Sequence, residues 1–365
     1  MRILIIDDDE ASIIEIRETI EQDFEGTSCR HIGFDEAASV IEEYRPSLVI
    51  LDLWQGQLDE EDNAGVAFLE QIWQVQFCPV IVHSALPDIA EDYDSPFLRR
   101  VNKGGEGAPQ VIEAIHDLQP QIAALEQAET EIRNRLSVAV REVANESFDH
   151  IDDPDHRLEV LIRMSRRRLS AQFESPDTDE ERQPWEQYIH PPISACLLLG
   201  DVLRMHDHDA ADPNSYRLVL TPSCDLVAFG SQKPKVDEIL VAQCESVSDG
   251  LKRFSLPTRD AQKLDRRLRA DLLNAGYADG IIVLPEFKPH IPLMVANCRS
   301  LELLPISNAE VTDLPYERVA SLDSPFRELV SWAYTNVSAR VGLPVRRLDE
   351  WINQLADQLR DVATS

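Results

Sequence analysis

Basic charge is what this sequence has least of. Its 35 lysines and arginines face 66 aspartates and glutamates, a formal net charge of −31 at pH 7. Duplex nucleic acid is recognised by lysine- and arginine-rich surfaces that release counterions, so it is disfavoured as a partner. The local exception, Arg166-Arg167-Arg168, falls in a helical stretch and reads as a solvated face. Long apolar runs are also missing. None reaches the roughly 20 residues that cross a bilayer, which argues against a membrane-spanning helix and points to the cytoplasm. The six cysteines (Cys29, Cys78, Cys196, Cys224, Cys244, Cys298) contain no CxxC pair. Neither a zinc ribbon nor a disulfide framework is signalled, and reduced thiols are expected. No internal repeat is evident.

What is present fits a globular chain. At 365 residues it exceeds what one hydrophobic core serves, so two or three domains are expected. Residues 1–118 alternate short β-branched runs with helical periods. Strands are predicted at Arg2 to Ile6, Ser28 to Gly33, Ser47 to Leu53, Pro79 to Ser84 and Leu98 to Asn102, with helices between them. This pattern predicts an α/β, doubly wound, five-stranded parallel domain, whose ligands bind beyond the carboxyl ends of the strands.

Acids stand at those ends. Asp7 and Asp8 close the first strand, and Asp52 follows the apolar run Leu48-Val49-Ile50-Leu51 of the third. Three carboxylates on one sheet edge repel one another unless a cation joins them, and a hard divalent ion such as magnesium suits oxygen ligands. The fourth and fifth strands end in Ser84 and Lys103, a hydroxyl and a fixed positive charge of the kind that stabilises phosphoryl oxygens.

Here the sequence resembles the receiver domains of two-component response regulators. Asp7-Asp8 is similar to their acidic pair, Leu51-Asp52-Leu53 to their acceptor strand, His83-Ser84-Ala85 to their hydroxyl switch and Asn102-Lys103 to their lysine. The resemblance covers about a third of the chain. It implies that Asp52 takes a phosphoryl group from the phosphohistidine of a histidine kinase. It further implies magnesium on Asp7, Asp8 and Asp52, with Ser84 and Lys103 meeting the product oxygens. There are departures: Arg100 stands where an aromatic switch residue is common, and Gly104-Gly105 replaces a common proline. The loop Trp54 to Asn63 is long and acidic, and Leu86 to Phe97 is short for a full helix and strand.

The remainder divides into a helical connector at 119–174, an acidic linker at 175–192 and an α+β, strand-rich, barrel-like domain at 193–365. In the connector Ile122, Leu125, Ile132, Leu136, Ala139 and Val143 follow a heptad spacing broken by Glu129. A helix of that kind either pairs with a second copy through residues 122–143 or packs on its own domain. In the last domain Leu218-Val-Leu-Thr-Pro-Ser-Cys224-Asp225 resembles a strand-rich bacterial module without an assigned activity. Two outputs are open: a module that binds a downstream protein, or an enzyme with Cys224 as nucleophile beside Asp225. The enzyme needs His290 as the base that makes thiolate. The run His206-Asp207-His208-Asp209 carries ligand-type side chains in a polar loop and reads as solvent-facing.

Overall fold

The computed structural model describes residues 1–54, 64–104, 107–147, 150, 153–173, 181–227, 233–254, 256–273, 276–306, 313–339 and 348–363. The chain divides into two compact units, Met1–Asp179 and Glu180–Ser365. Among the described residues no helix is long and apolar enough to cross a membrane.

The first unit follows the alternation read from the sequence. Its elements are β1 (Arg2–Ile6), α1 (Glu10–Asp23), β2 (Ser28–Ile32), α2 (Ala37–Tyr44), β3 (Leu48–Leu51), α3 (Ala64–Val75), β4 (Val80–Ser84), β5 (Leu98–Asn102), α4 (Gly107–Ser147) and α5 (Pro154–Phe173). The strands pair in parallel in the order β2-β1-β3-β4-β5. Central strands of such a sheet are apolar on both faces, as the fully buried Leu48–Leu51 is. Leu4, Ile6, Val49, Leu51, Val80 and Val82 pack with Leu69 and Ile72 of α3 on one face. Ile3, Ile5, Leu48, Ile50 and Ile81 pack with Ile13 and Ile16 of α1 and Val111 and Ile115 of α4 on the other. Between β4 and β5 the chain makes only a tight helical stretch, Pro87–Tyr93, which agrees with the shortness of that segment.

The boundary expected at residue 118 falls inside α4, which runs unbroken through Pro120 for 41 residues. Its middle is fastened to the amino-terminal edge of the sheet. The Ser47 hydroxyl donates to Glu126 Oε1 at 2.5 Å, Arg45 pairs with Glu129 at 3.1 Å, and Ile122 is buried. Farther along, α5 folds back antiparallel on α4: Arg168 Nε donates to Glu142 at 2.5 Å, and the Arg135 guanidinium lies 4.9 Å over the Phe173 ring. Ala139, Val143 and Ser165 are buried there. Part of the heptad stripe is therefore used within the chain, while Ile132 and Leu136 stay 50% and 40% exposed.

In the second unit the elements are β6 (Tyr188–Ile189), β7 (Asp201–Met205), β8 (Tyr216–Val219), α6 (Ser223–Leu226), β9 (Glu238–Glu245), α7 (Val247–Gly250), α8 (Ala261–Leu268), β10 (Tyr277–Ala278), β11 (Ile281–Leu284), β12 (Met294–Pro305), β13 (Tyr316–Leu322), α9 (Phe326–Ser338) and α10 (Leu348–Ala363). Eight strands form one antiparallel sheet in the order β10-β11-β12-β9-β8-β7-β13-β6. The sheet curls: the Tyr188 hydroxyl on β6 donates to the Pro285 carbonyl just past β11 at 3.0 Å, and Tyr188 and Trp185 stack on Phe287. Opposite faces of the sheet carry separate cores, one around Tyr216, Leu218 and Met294 and the other around Leu203, Val219 and Val241.

β7 begins at Asp201, directly after a turn. Gly200 holds φ +83°, and the buried Asp201 accepts from the Leu198 N–H and the Ser321 hydroxyl, which fixes the preceding turn. β12 runs on from Met294 to Pro305 because a bulge between Asn297 and Leu301 absorbs the polar Arg299-Ser300 step.

Gly276, just before β10, adopts a left-handed φ of +71°, and a Cβ there would run into Leu329 of α9. Gly276→Ala is expected to lower stability by about 2 kcal/mol through strain and overlap together. The control Gly33→Ala has ordinary φ and open space. Equal urea midpoints for the two variants would refute this.

Candidate functional site

The ladder continues one residue past three strands, and this holds the site residues in place. Asp52 N–H donates to the Ile6 carbonyl at 2.9 Å, Asp7 N–H to the Ile32 carbonyl at 3.2 Å, and Lys103 N–H to the Ser84 carbonyl at 2.9 Å. Asp7, Asp52, Ser84 and Lys103 thus stand together at the carboxyl ends of the sheet. Asp7 and Asp52 are only 2% and 6% exposed.

Between them lies one ammonium. Lys103 Nζ is 2.8 Å from Asp7 Oδ2 and 2.8 Å from Asp52 Oδ2. The other oxygens are held by backbone: Asp7 Oδ1 accepts from the Asp9 N–H at 2.9 Å and Asp52 Oδ1 from the Leu53 N–H at 2.7 Å. Burial pushes the Asp7 carboxyl above its ordinary range, against the pull of Lys103. Burial lowers Lys103, but the two carboxylates more than reverse it and the ammonium ends above its ordinary value.

Asp8 is exposed and completes a group whose carboxylate oxygens, one each from Asp7, Asp8 and Asp52, lie within 4.8 Å of one another. Hard oxygen donors at this spacing fit a divalent cation. Ser84 is fully buried, and its hydroxyl has no partner among the described residues. A hydroxyl in that condition fits an additional acceptor arriving at the site.

One residue near the site, His31, was not singled out from sequence, and two others, Trp54 and His83, were named there without a bonding role. His31 makes a ring hydrogen bond of 2.8 Å to the Asp7 carbonyl. Trp54 and His83 are buried with unpartnered ring nitrogens. Arg100 pairs with Asp88 at 3.1 Å and Asp94 at 2.9 Å, which ties it to the β4–β5 connection. Gly104 donates its N–H to the Asn102 side chain at 2.7 Å. Gly105 and residues 55–63 of the acidic loop lie outside the described residues.

Of the two common doubly wound strand orders, the sheet has 2-1-3-4-5 rather than 3-2-1-4-5. The first unit has a receiver fold. No family model and no curated protein matches the sequence. Among solved structures, similarity is found to a two-component transcriptional regulator AraC from Clostridium phytofermentans ISDg (20% identity, 35% of this chain and 98% of that one, TM-score 0.27). It is also found to the response regulator domain of Thermotoga maritima CheB (19% identity, 32% and 93%, TM-score 0.26). A third is a response regulator protein from Burkholderia pseudomallei with a phosphorylated aspartic acid, calcium ion and citrate (15% identity, 47% and 96%, TM-score 0.26).

Outside the receiver the second expected site does not assemble. Cys224 is exposed in the four-residue α6, its thiol 3.8 Å from Asp225, which itself pairs with Lys235 at 3.1 Å. His290 lies instead against His190, ring centroids 3.9 Å apart, and against Phe287. Among the described residues no hydrogen bond joins Cys224 to an imidazole. The nucleophile–base pair read from the sequence is corrected on this geometry: the β11–β12 turn carries His290 to the Tyr188 end of the sheet. Nor do His206 to Asp209 form a metal-ligating group; Asp209 caps the Ala211 N–H at 2.9 Å.

Because burial raises the Asp7 pKa, the folded state binds its proton more tightly than the unfolded chain. The stability linked to this group is present at low pH and lost as pH rises through the folded value. Asp7→Asn is therefore expected to unfold at a higher temperature than the native chain at pH 7 without divalent cations, with the advantage vanishing as pH falls toward 4. A melting curve showing the variant less stable at pH 7 would refute the assignment.

Proposed function

We propose that this chain is an atypical, cytoplasmic response regulator. Its receiver domain accepts a phosphoryl group on Asp52 from the phosphohistidine of a histidine kinase, and its C-terminal unit passes the signal to a downstream protein rather than to DNA. The observation that carries this reading is the buried Asp52 sharing one lysine with Asp7 beside an unpartnered Ser84 hydroxyl. Such a site offers carboxylates to a cation and a hydroxyl and an ammonium to an incoming tetrahedral oxyanion.

A magnesium ion on Asp7, Asp8 and Asp52 would supply neutralisation of the phosphoryl oxygens. The chain's own residues do the rest. An Asp52 carboxylate oxygen attacks phosphorus in line while the histidine nitrogen leaves. The Lys103 ammonium moves from the two carboxylates to a phosphoryl oxygen, and the Ser84 hydroxyl gains the acceptor it lacks. Those new contacts bias the domain between two states, and α4 carries the difference onward. The strong acidity of the chain supports a protein rather than a nucleic acid as the recipient.

Incubation with magnesium and acetyl phosphate is expected to add one phosphoryl group by intact-mass measurement, and none in Asp52→Ala. Equal labelling of both proteins would refute Asp52 as acceptor.

The same reading extends to assembly. Ile132 and Leu136 lie on the part of the 122–143 stripe that α5 leaves exposed, which supports pairing with a second copy in the phosphorylated state. Light scattering with beryllofluoride and magnesium is expected to show a doubled mass, abolished by Leu136→Asp. An unchanged mass would set aside the dimer.

A further inference from the structure

His83 is the most costly residue near the site that the mechanism above does not use. It is 4% exposed, and neither ring nitrogen has a hydrogen-bond partner among the described residues. A buried polar group left unpaired costs about 1–3 kcal/mol, and few are found in folded proteins. Side chains alternate along β4, so His83 shares a face with Ile81, which lies in the apolar layer beneath α1 and α4. A leucine or valine would fill that layer without the cost.

Two neighbours define what the imidazole can reach. Leu51 pairs with Val82 and Val101 with His83, so continuing the β3–β4 register by one residue sets Asp52 directly beside His83 on the same face. On its other side is the first residue of α4: a Cβ built at Gly107 would lie 3.1 Å from His83 Nε2. Glycine is what allows the ring and the helix start to approach this closely. The ring therefore lies between the carboxylate that would carry the phosphoryl group and the helix that would transmit its arrival. Burial, and then the Lys103 charge, lower the His83 pKa to about 4, with Asp52 opposing. The resting imidazole is neutral, with one N–H to donate and one nitrogen to accept.

We propose that His83 is a further contact of the phosphoryl group on Asp52, donating its ring N–H to a phosphoryl oxygen, and that in doing so it shifts against Gly107 and resets the first turn of α4. The inference rests on the phosphoacceptor reading of Asp52. It adds a route by which the modified site reaches α4 directly, through one side chain, on the sheet face opposite the one Arg100 shares with Val82. No bond other than hydrogen bonds is made or broken. The arriving oxygen supplies the partner that the ring lacks, and the cost of the buried donor is relieved only in the phosphorylated state.

The test uses the full-length chain, magnesium, and either acetyl phosphate or beryllofluoride. His83→Leu is expected to be labelled at Asp52 to the same extent as the native chain but to lose the group about tenfold faster, the low end of the scale of one hydrogen bond to a charged acceptor. His83→Gln keeps a donor and is expected to stay within about twofold of native. In the native chain, nitrogen NMR of the His83 ring and of the Gly107 amide is expected to shift together when beryllofluoride binds. In His83→Leu the Gly107 shift is expected to be lost. If the native chain takes no label, the phosphoacceptor reading falls and this inference with it. Normal labelling with equal lifetimes in all three proteins and an unmoved His83 ring would overturn the role of His83 alone.

Discussion

Two buried carboxylates sharing one ammonium is the arrangement on which the N-terminal half turns. Asp7 and Asp52 are both withdrawn from water, and the Lys103 ammonium lies 2.8 Å from each. Removing charge from water is expensive, and a third acid, Asp8, stands beside them. Parallel-sheet geometry forces this proximity, because every strand delivers its last residue to the same edge. A fold with its ends so placed either keeps them neutral or uses their charge. Here the charges fall where a cation and an oxyanion would both be welcome.

What could be read in advance divides along physical lines. Of the five strands, β1, β3 and β4 were legible as short apolar runs that stop at a polar residue, the mark of strands buried on both faces, while β2 and β5 are mixed segments whose place followed from the alternation of strands and helices. The ends of those strands named Asp7, Asp52, Ser84 and Lys103. The bridging role of Lys103 was not legible, since spacing along the chain does not say which acids one ammonium will touch. Nor was the isolation of His83, which looks in sequence like an ordinary strand residue and is unusual because no described residue offers its ring a hydrogen bond.

The C-terminal unit was less transparent, for a different reason. Its strands pair antiparallel and are interrupted. β12 bends at Arg299-Ser300, which breaks the period of two, β13 places Arg318 among its inward-leaning positions, where it reaches the Cys196 carbonyl at 2.6 Å, and β6 has two residues. Strand content was evident; register and length were not. Cys224 and His290 illustrate the limit, because residue types suited to a reaction were present while the sheet delivered them to different neighbours. The helical stripe from Ile122 to Val143 shows the opposite case. Its heptad spacing was correct as a description of an apolar edge, but α5 of the same chain covers the Ala139 and Val143 end.

The length of α4 has a mechanical meaning. Its 41 residues span about 60 Å as one rigid rod. The Ser47–Glu126 and Arg45–Glu129 contacts grip it at mid-length, which makes that point a fulcrum. The arm beyond residue 129 is about 27 Å long. On the proposal that His83 shifts against Gly107, a sub-ångström nudge there would become a swing of comparable size, in the reverse direction, at the far tip. A lever of this kind transmits displacement without melting a turn or opening a hinge.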